Sequence, residues 1–569
     1  MKDIRTSWAP PSRPEPTNQQ LDVVEGMMSG EDQVCIAFAG SGKTGTGVEV
    51  AHRLGKFGLA MMFNRAARND MNPRLPAGMD ALTFHALGYR KVIEPSQGFT
   101  AKLAGELNPD DGPRLSGPIV ARELGLSASS DPDISSVSQL AMAIMKTVEN
   151  FQISAANKAG PEHVPDEALP LSIRQPENAA EADELRERLA DWAGKLWTLM
   201  VRERNNFPIN HDTYLKIFQL RREAISADLW ILDEYQDTAP VAEALIRQQS
   251  GQKLYLGDPY QQIYGFRNAI NALNEPISRG VPVHYLTDSF RYNHQIAGLA
   301  TLVLRALGEM NSVRGQGREL LPANLNAGHT VICRSNLTIL VRAGDAILNQ
   351  RSIRIEGGLP QNTFARVESA LALFEDRIED VKVGAMRSMG SWQSLKDQVA
   401  GIGDRAGDAS ALIQLVERYR GRLPLLLTAV REAMGKRPRT PDTIHYITAH
   451  KSKGREFPMV ALDDDLSPSP DLMAKLRSDT PLNRAEIETL NILYVALTRA
   501  ELSIYLPTGL KHTFAQLNDL FGSPGSGTND HLAETQVGTP AVHAAIVRKA
   551  RTEAFIKAHR NPDRPRGKD

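Results

Sequence analysis

Two cysteines in 569 residues, a net charge of −1 and the lack of any long apolar run set the first limits. Cys35 and Cys333 stand in short apolar stretches, VCIAF and TVICRS. They read as small buried strand residues of a chain in a reducing compartment and not as a disulfide framework. Nothing approaches the roughly 18 consecutive apolar residues of a membrane span, so no membrane partner is expected. The Pro-rich, polar opening MKDIRTSWAPPSRPEPTNQQ has the pattern of neither a signal nor a transit peptide, and the expected location is cytoplasmic. Balanced charge and a pI of about 6.9 give no global field for a polyanion, although a local basic channel is enough to bind one. At 41% hydrophobic and 23% charged residues the composition is globular. The length calls for about three or four domains or subdomains.

What is present is a recurrence of short Val/Ile/Leu-rich runs alternating with helical stretches. QVCIAF, GLAMMF, DALTF, DLWILD and QKLYLG form one set of candidate buried strands, and VHYL, TVICR, TIHYIT, PMVAL and LSIYL a second. Two such sets predict an α/β fold with two doubly wound parallel-sheet domains. The long interval between DALTFHALGY and DLWILDE is too long for a crossover and reads as a helical insertion, as does 366–440. The expected boundaries are a tail over 1–16, a first domain over 17–88 and 206–283 with its insertion at 89–205, and a second over 284–365 and 441–510 with its insertion at 366–440. A C-terminal extension, 511–569, completes the chain. Its last 22 residues carry eight Lys or Arg against three acids, a solvated end or a contact for nucleic acid or a partner.

AFAGSGKT, Ala37 to Thr44, lies between a predicted strand and a predicted helix, the setting a phosphate-binding loop requires. Bare N–H groups at a helix N-terminus curl round phosphate oxygens. Gly40 and Gly42 permit the close approach, with Ala39 and Ser41 in the same loop; Lys43 reaches the β- and γ-phosphates and the Thr44 hydroxyl holds Mg²⁺. The run ADLWIL ends in Asp233 and Glu234, adjacent acids that repel each other unless a cation sits between them. With Mg²⁺ and a nucleotide, Asp233 holds the metal's water shell and Glu234 orients and deprotonates the attacking water. Together these predict a site that hydrolyses a nucleoside triphosphate.

GDPYQQIYGFRNA follows the strand KLYL and carries an amide suited to sensing a γ-phosphate, Gln261. Tyr264 and Phe266, two apart, form a candidate platform for unstacked bases beside Arg267. Arg291 in LTDSFR and Arg499 in ILYVALTRAELSIYL stand beside strands of the second domain, where a guanidinium can stabilise transferred phosphoryl charge. Asp463, Asp464 and Asp465 read as a solvated loop after PMVAL. His163 and His211 read as structural or DNA-adjacent, since no partner has metal spacing.

The ordered series AGSGKT, FNRAAR, TFHALG, DEYQD, GDPYQQIYGFR, SFRY, ITAHKSKGREFP, YVALTRA resembles the motifs of superfamily 1 helicases of the UvrD/Rep/PcrA type, from Gln20 to about Leu506. The resemblance implies two RecA-like domains with ATP in the cleft between them and 3′ to 5′ movement on DNA. It assigns Gln20 and Phe290 to the adenine and Glu456 to the ribose side of the ATP site. Lys43, Thr44, Asp233, Glu234, Gln261, Arg291 and Arg499 become the hydrolytic set. Phe63, His85, Tyr264 and Phe266 line the single-strand path, with Arg267, His450 and Lys451 on the DNA side, and KSKGRE couples ATP to DNA. The implied cofactors are ATP and Mg²⁺, and the implied partners single-stranded and tailed duplex DNA.

NHDTYLKIFQL, GDPYQQIYGFRNAINAL and VHYLTDSFRYNHQIA look similar to the F-box DNA helicase branch and its prokaryotic or phage relatives. That implies recombination control, with a recombinase filament as a further partner and, in a prokaryotic or phage context, a nucleoid-associated setting. The alternative reading is an ATP-driven protein-displacing or nucleotide-gated DNA-binding subunit of a larger complex, for instance one with a nuclease subunit, with weak unwinding of its own. Four features depart from the pattern. There is no room for an F-box before Gln20, the stretch after YVALTRA is too short for a fused nuclease, and Gly45 stands where UvrD-type enzymes usually have arginine. The insertion at 366–440 is also smaller than its UvrD counterpart, against autoinhibition by subdomain rotation.

Overall fold

The computed structural model describes residues 15–170, 172–263, 271–402, 407–434 and 440–522. Six strands build the first sheet: β1 Gln33–Ala37, β2 Gly58–Met61, β3 Met79–Leu82, β4 Leu229–Leu232, β5 Gln252–Gly257 and β6 Val283–Leu286. Their spatial order is β3-β2-β4-β5-β1-β6. The first five run parallel, with Ile231 of β4 opposite both Ala60 and Leu254. Every residue of β1, β2, β4 and β5 is buried, as the continuous apolar runs of strands covered on both faces require. VHYL, expected in the second domain, is instead β6 at the edge of this first sheet. Three of its four residues are only half-buried, an edge-strand pattern, and β1 supplies the free backbone: Val34 N–H donates to Pro282 O at 2.8 Å.

The second sheet contains β9 Thr330–Cys333, β10 Ile353–Ile355, β11 Ile444–Thr448, β12 Phe457–Leu462 and β13 Ala500–Tyr505, all parallel, in the order β10-β11-β9-β12-β13. β10 is absent from the strand candidates above because RSIRIE offers only two apolar residues between charges. Preceding this sheet in the chain is a small ribbon, β7 Asp288–Ser289 with β8 Arg314–Gly315, closed by Arg314 Nε on Asp288 Oδ1 at 2.6 Å.

Both intervals expected to be helical insertions are helical. In the first, helix Val137–Ile153 buries Leu140, Ile144, Val148 and Phe151, a stripe at helical spacing. Helix Ala179–Val201 buries Leu185, Leu189, Leu196 and Met200. Its C-terminal carbonyls would be orphaned in the interior. The buried Lys102 ammonium takes them, donating to Leu199 O at 3.0 Å, Met200 O at 2.6 Å and Arg202 O at 2.7 Å.

The second insertion shares one hydrophobic core with β9, β10 and β11. Leu340 and Ala343 of helix Asn336–Leu348 cluster with Val367, Leu415, Leu427 and Ile355. Tyr419 locks this junction, its hydroxyl donating to Val341 O at 3.1 Å or Asp345 Oδ1 at 2.7 Å. Gly344 makes room, since a Cβ there would lie 2.8 Å from the Tyr419 ring.

The chain divides into two compact units. Of the described residues, the first holds 15–36, 43–257 and 271–284, and the second holds 37–42, 258–263 and 285–522.

Candidate active site

In the first unit, helix Lys43–Leu54 starts directly after the glycine-rich turn and faces the end of β4. Lys43 Nζ lies 2.5 Å from Glu234 Oε1 and 3.6 Å from Asp233 Oδ1. The Thr44 hydroxyl donates to Asp233 Oδ2 at 3.1 Å. The cation separating the two acids is therefore the lysine of the phosphate loop. Burial and the neighbouring Glu234 push Asp233 above the usual carboxylate range, and Lys43 opposes that rise. The oxygens of Thr44 and Asp233 are a hard donor set of the kind Mg²⁺ prefers.

Glu234 has a left-handed backbone, φ 53 and ψ 38, a conformation costing a residue with Cβ about 1–2 kcal/mol. Its N–H donates to Asp233 Oδ1 at 2.9 Å and its Oε2 accepts from Gln236 Nε2 at 2.6 Å. The turn aims the carboxylate away from β4 and toward Lys43. Gly257, at the end of β5, admits Gln236: a Cβ there would lie 2.4 Å from Gln236 Oε1. Gln236 is thus a supporting residue that strand patterning does not reveal. Among the described residues nothing lies within 4 Å of a Cβ added at Gly45, so their packing does not exclude a side chain where UvrD-type enzymes carry arginine. Gln20 closes a capping box on helix Asn18–Met28, its Oε1 accepting from Thr17 N–H at 3.0 Å. The T-x-x-Q of TNQQ carries that signal.

In the second unit, Gly40 has φ +79 and a Cβ on it would fall 2.5 Å from Ser289 Oγ and 2.8 Å from Arg291 Cβ. Only glycine fits on both counts. Phe290 N–H donates to Gly40 O at 2.9 Å, and the Phe290 side chain is 50% exposed, so a ring face is available for stacking beside the loop. Among the described residues the Ser41 hydroxyl is buried with no hydrogen-bond partner, as an oxygen left for a ligand to satisfy would be. Arg291 pairs with Glu456, Nε to Oε2 at 2.9 Å, and donates from Nη1 to Thr498 O at 3.0 Å. Arg499 is 1% exposed and donates to Val495 O, Arg455 O and, from Nη2 at 3.1 Å, to Gln261 Oε1. Gln261, Arg291, Glu456 and Arg499 are thus brought together. Sequence reasoning missed Asp258 and Tyr494. Asp258 is fully buried and accepts from Gln261 Nε2 at 2.7 Å; Tyr494 sits on the same carboxylate.

Of the residues expected on the DNA side, Phe63 is exposed. His85 is half-exposed, with Nε2 3.0 Å from Asp212 Oδ1, and stands edge-on to His211 and Tyr214. His211, exposed at the start of helix His211–Arg221, thereby joins His85. His450 Nε2 lies 3.0 Å from Ile263 O, and Lys453 Nζ donates to Gln261 O at 2.6 Å, so ITAHKSKG is tied to the loop carrying Gln261. Lys451, expected on the DNA side, donates to Gly357 O and Gly358 O. Tyr264, Phe266, Arg267 and the basic C-terminal tail lie outside the described residues.

The acid triplet differs from the solvated loop expected of it. Asp463 is buried against Arg342, and Asp465 accepts from the N–H groups of Arg334 and Ser335; only Asp464 is exposed. His163 is buried and bonded to Ser154 Oγ at 3.0 Å, a structural residue. Among the described residues no group of three or more His, Cys, Asp or Glu is arranged to hold a metal, and no helix is long and apolar enough to cross a membrane.

A family model described as an AAA domain matches residues 20–267. The chain is 27% identical over 545 residues to F-box DNA helicase protein 1 of Schizosaccharomyces pombe, covering 90% of this chain and 60% of that protein. It is 26% identical over 515 residues to F-box DNA helicase 1 of Gallus gallus, covering 85% of this chain and 48% of that one. The chain thus spans between about half and three-fifths of the length of these relatives. Two parallel-sheet α/β units, Lys43 and Thr44 meeting the acids that follow β4, and the AAA-domain match describe a chain that is similar to the F-box DNA helicases over most of its length.

Proposed function

We propose that the protein is an ATP-dependent DNA helicase that translocates 3′ to 5′ along single-stranded DNA and opens tailed or forked duplexes. The observation that carries the hydrolytic half is the junction of helix Lys43–Leu54 with β4: the phosphate-binding lysine and the metal-binding hydroxyl meet Asp233 and Glu234. In this reading Mg²⁺ is held by Thr44 and Asp233 and supplies charge neutralisation on the phosphates. Glu234 takes the proton of the attacking water. Gln261, Arg291 and Arg499 meet the transferred phosphoryl charge, and the face of Phe290 takes the adenine with Gln20.

Likeness to the F-box DNA helicases supports DNA as the track. Phe63 and the His85 cluster, with Tyr264 and Phe266, form the proposed strand path. The ties from His450 and Lys453 to the Gln261 loop give a physical link between strand and phosphate. A role in recombination control or repair, clearing a recombinase filament or working beside a nuclease subunit, belongs to the same proposal.

The test is ATP hydrolysis with and without single-stranded DNA, followed by strand displacement on 3′- and 5′-tailed duplexes. A rise of at least tenfold on adding DNA, and opening of the 3′-tailed duplex alone, is the expected result. Hydrolysis indifferent to DNA would overturn the helicase reading.

A further inference from the structure

The buried polar network behind Gln261 has no place in the scheme above, although it determines which way the sensing amide points. Asp258 follows β5 and is 0% exposed. Its Oδ1 accepts from Tyr260 N–H at 3.0 Å, and its Oδ2 from Gln261 Nε2 at 2.7 Å and the Tyr494 hydroxyl at 3.3 Å. The Tyr494 oxygen in turn accepts from Ala39 N–H, an amide of the phosphate loop, at 3.1 Å. On its other side Gln261 Oε1 accepts from Arg499 Nη2.

A carboxylate only accepts and a guanidinium only donates. The Gln261 carboxamide is therefore restricted to one of its two orientations, nitrogen toward Asp258 and oxygen toward Arg499. If Arg499 turns to the transferred phosphate, Oε1 becomes free to accept from the attacking water. The bond to Asp258 then stops the amide from rotating away. Tyr494 ties that bond to the phosphate loop, and burial keeps its phenol protonated, hence a donor.

Resting on the ATPase reading above, we propose that Asp258 and Tyr494 are positioning residues for γ-phosphate hydrolysis: they orient the Gln261 carboxamide and link it to the Ala39 amide of the phosphate loop, Tyr494 acting through Asp258. Neither touches the reacting atoms. Their removal should therefore lower turnover without weakening nucleotide binding, and only while Gln261 is present.

The experiment is a double-mutant cycle on the full chain. Tyr494→Phe keeps the buried ring and removes the hydroxyl. It should lower DNA-saturated kcat roughly tenfold, the effect of one orienting hydrogen bond, with ADP affinity and melting temperature close to those of the parent. In a Gln261→Ala background the same change should cost less than about twofold, because the group it positions is gone. Asp258→Asn serves as the second variant: one acceptor becomes a donor, and either Tyr260 N–H or the Gln261/Tyr494 pair loses its partner. It should show the same dependence on Gln261.

An equal loss in both backgrounds, a kcat unchanged by either variant, or a parallel fall in kcat, ADP affinity and melting temperature would overturn the proposal. Parent hydrolysis that ignores DNA defeats the helicase reading alone, and the cycle is then scored on the basal rate. No parent turnover at all defeats both.

Discussion

Glu234→Gln tests the hydrolytic chemistry most directly, and the structure sets its size. Glutamine keeps the shape of the side chain and the left-handed turn at φ 53, but cannot accept a proton. Loss of a general base costs about 10² to 10⁴ in rate, or about 3 to 5 kcal/mol in the barrier. The ground state moves the other way. Glu234 Oε1 lies 2.5 Å from Lys43 Nζ, and the two side chains are 26% and 12% exposed. Such a part-solvated pair contributes no more than about 1 kcal/mol. Glu234 Oε2 also accepts from Gln236 Nε2. A carboxamide has one oxygen for these two donors, so one of them loses its partner and the hold on Lys43 weakens. Nucleotide affinity should therefore stay equal or tighten by up to about fivefold while kcat falls at least a hundredfold. Phosphate release under saturating DNA and titration with a fluorescent nucleotide read the two effects separately. A variant keeping more than about a tenth of parental kcat, or binding nucleotide tenfold more weakly, would refute the assignment of Glu234 as the base against which Lys43 rests.

Three further outcomes concern the fold. Gly344→Ala drives a methyl to 2.8 Å from a buried Tyr419 whose hydroxyl is hydrogen-bonded and should cost about 1 to 3 kcal/mol; thermal melts check this, and an unchanged melting temperature refutes the shared core of insertion and sheet. Burial pushes the Lys216 ammonium down to about 7, below the ordinary 10.5, so the unfolded chain holds the extra proton between those values and this residue's contribution makes stability rise with pH across that window. Melting temperatures at pH 6.5 and 8.5 should differ less in Lys216→Met than in the parent, and an identical difference in both removes the argument. Cys35, pushed up to about 12, and the fully buried Cys333 should resist a thiol reagent in the native protein and both react once it is unfolded; rapid native labelling of either places that strand elsewhere.

The phosphate loop, the acids after ADLWIL and all ten candidate strands were readable because each is a local pattern. Buried parallel strands need continuous apolar runs, and a phosphate cradle needs glycine in positions where φ is positive. β10 escaped because an edge strand of three residues with one charged side chain makes no run. VHYL was recognised as a strand but assigned to the wrong sheet, since an apolar run does not say which neighbour supplies its hydrogen bonds. Asp463 and Asp465 looked like a solvated loop because three acids in a row do so by composition, whereas Arg342, Arg334 and Ser335, more than a hundred residues away in sequence, are what pair with them.

The sequence by itself determined the fold class and the two local patterns on which the proposed nucleotide site rests: Gly40 to Thr44 in one short stretch, and Asp233 with Glu234 in another that begins 189 residues after Thr44. Only the tertiary structure decided which groups support them. Gln236 behind Glu234, Asp258 and Tyr494 behind Gln261, and Gly257 and Gly344 as space for other side chains carry no pattern along the chain. Their roles come from directional hydrogen bonds and close packing between residues up to hundreds of positions apart, which exist only once the strands are in register.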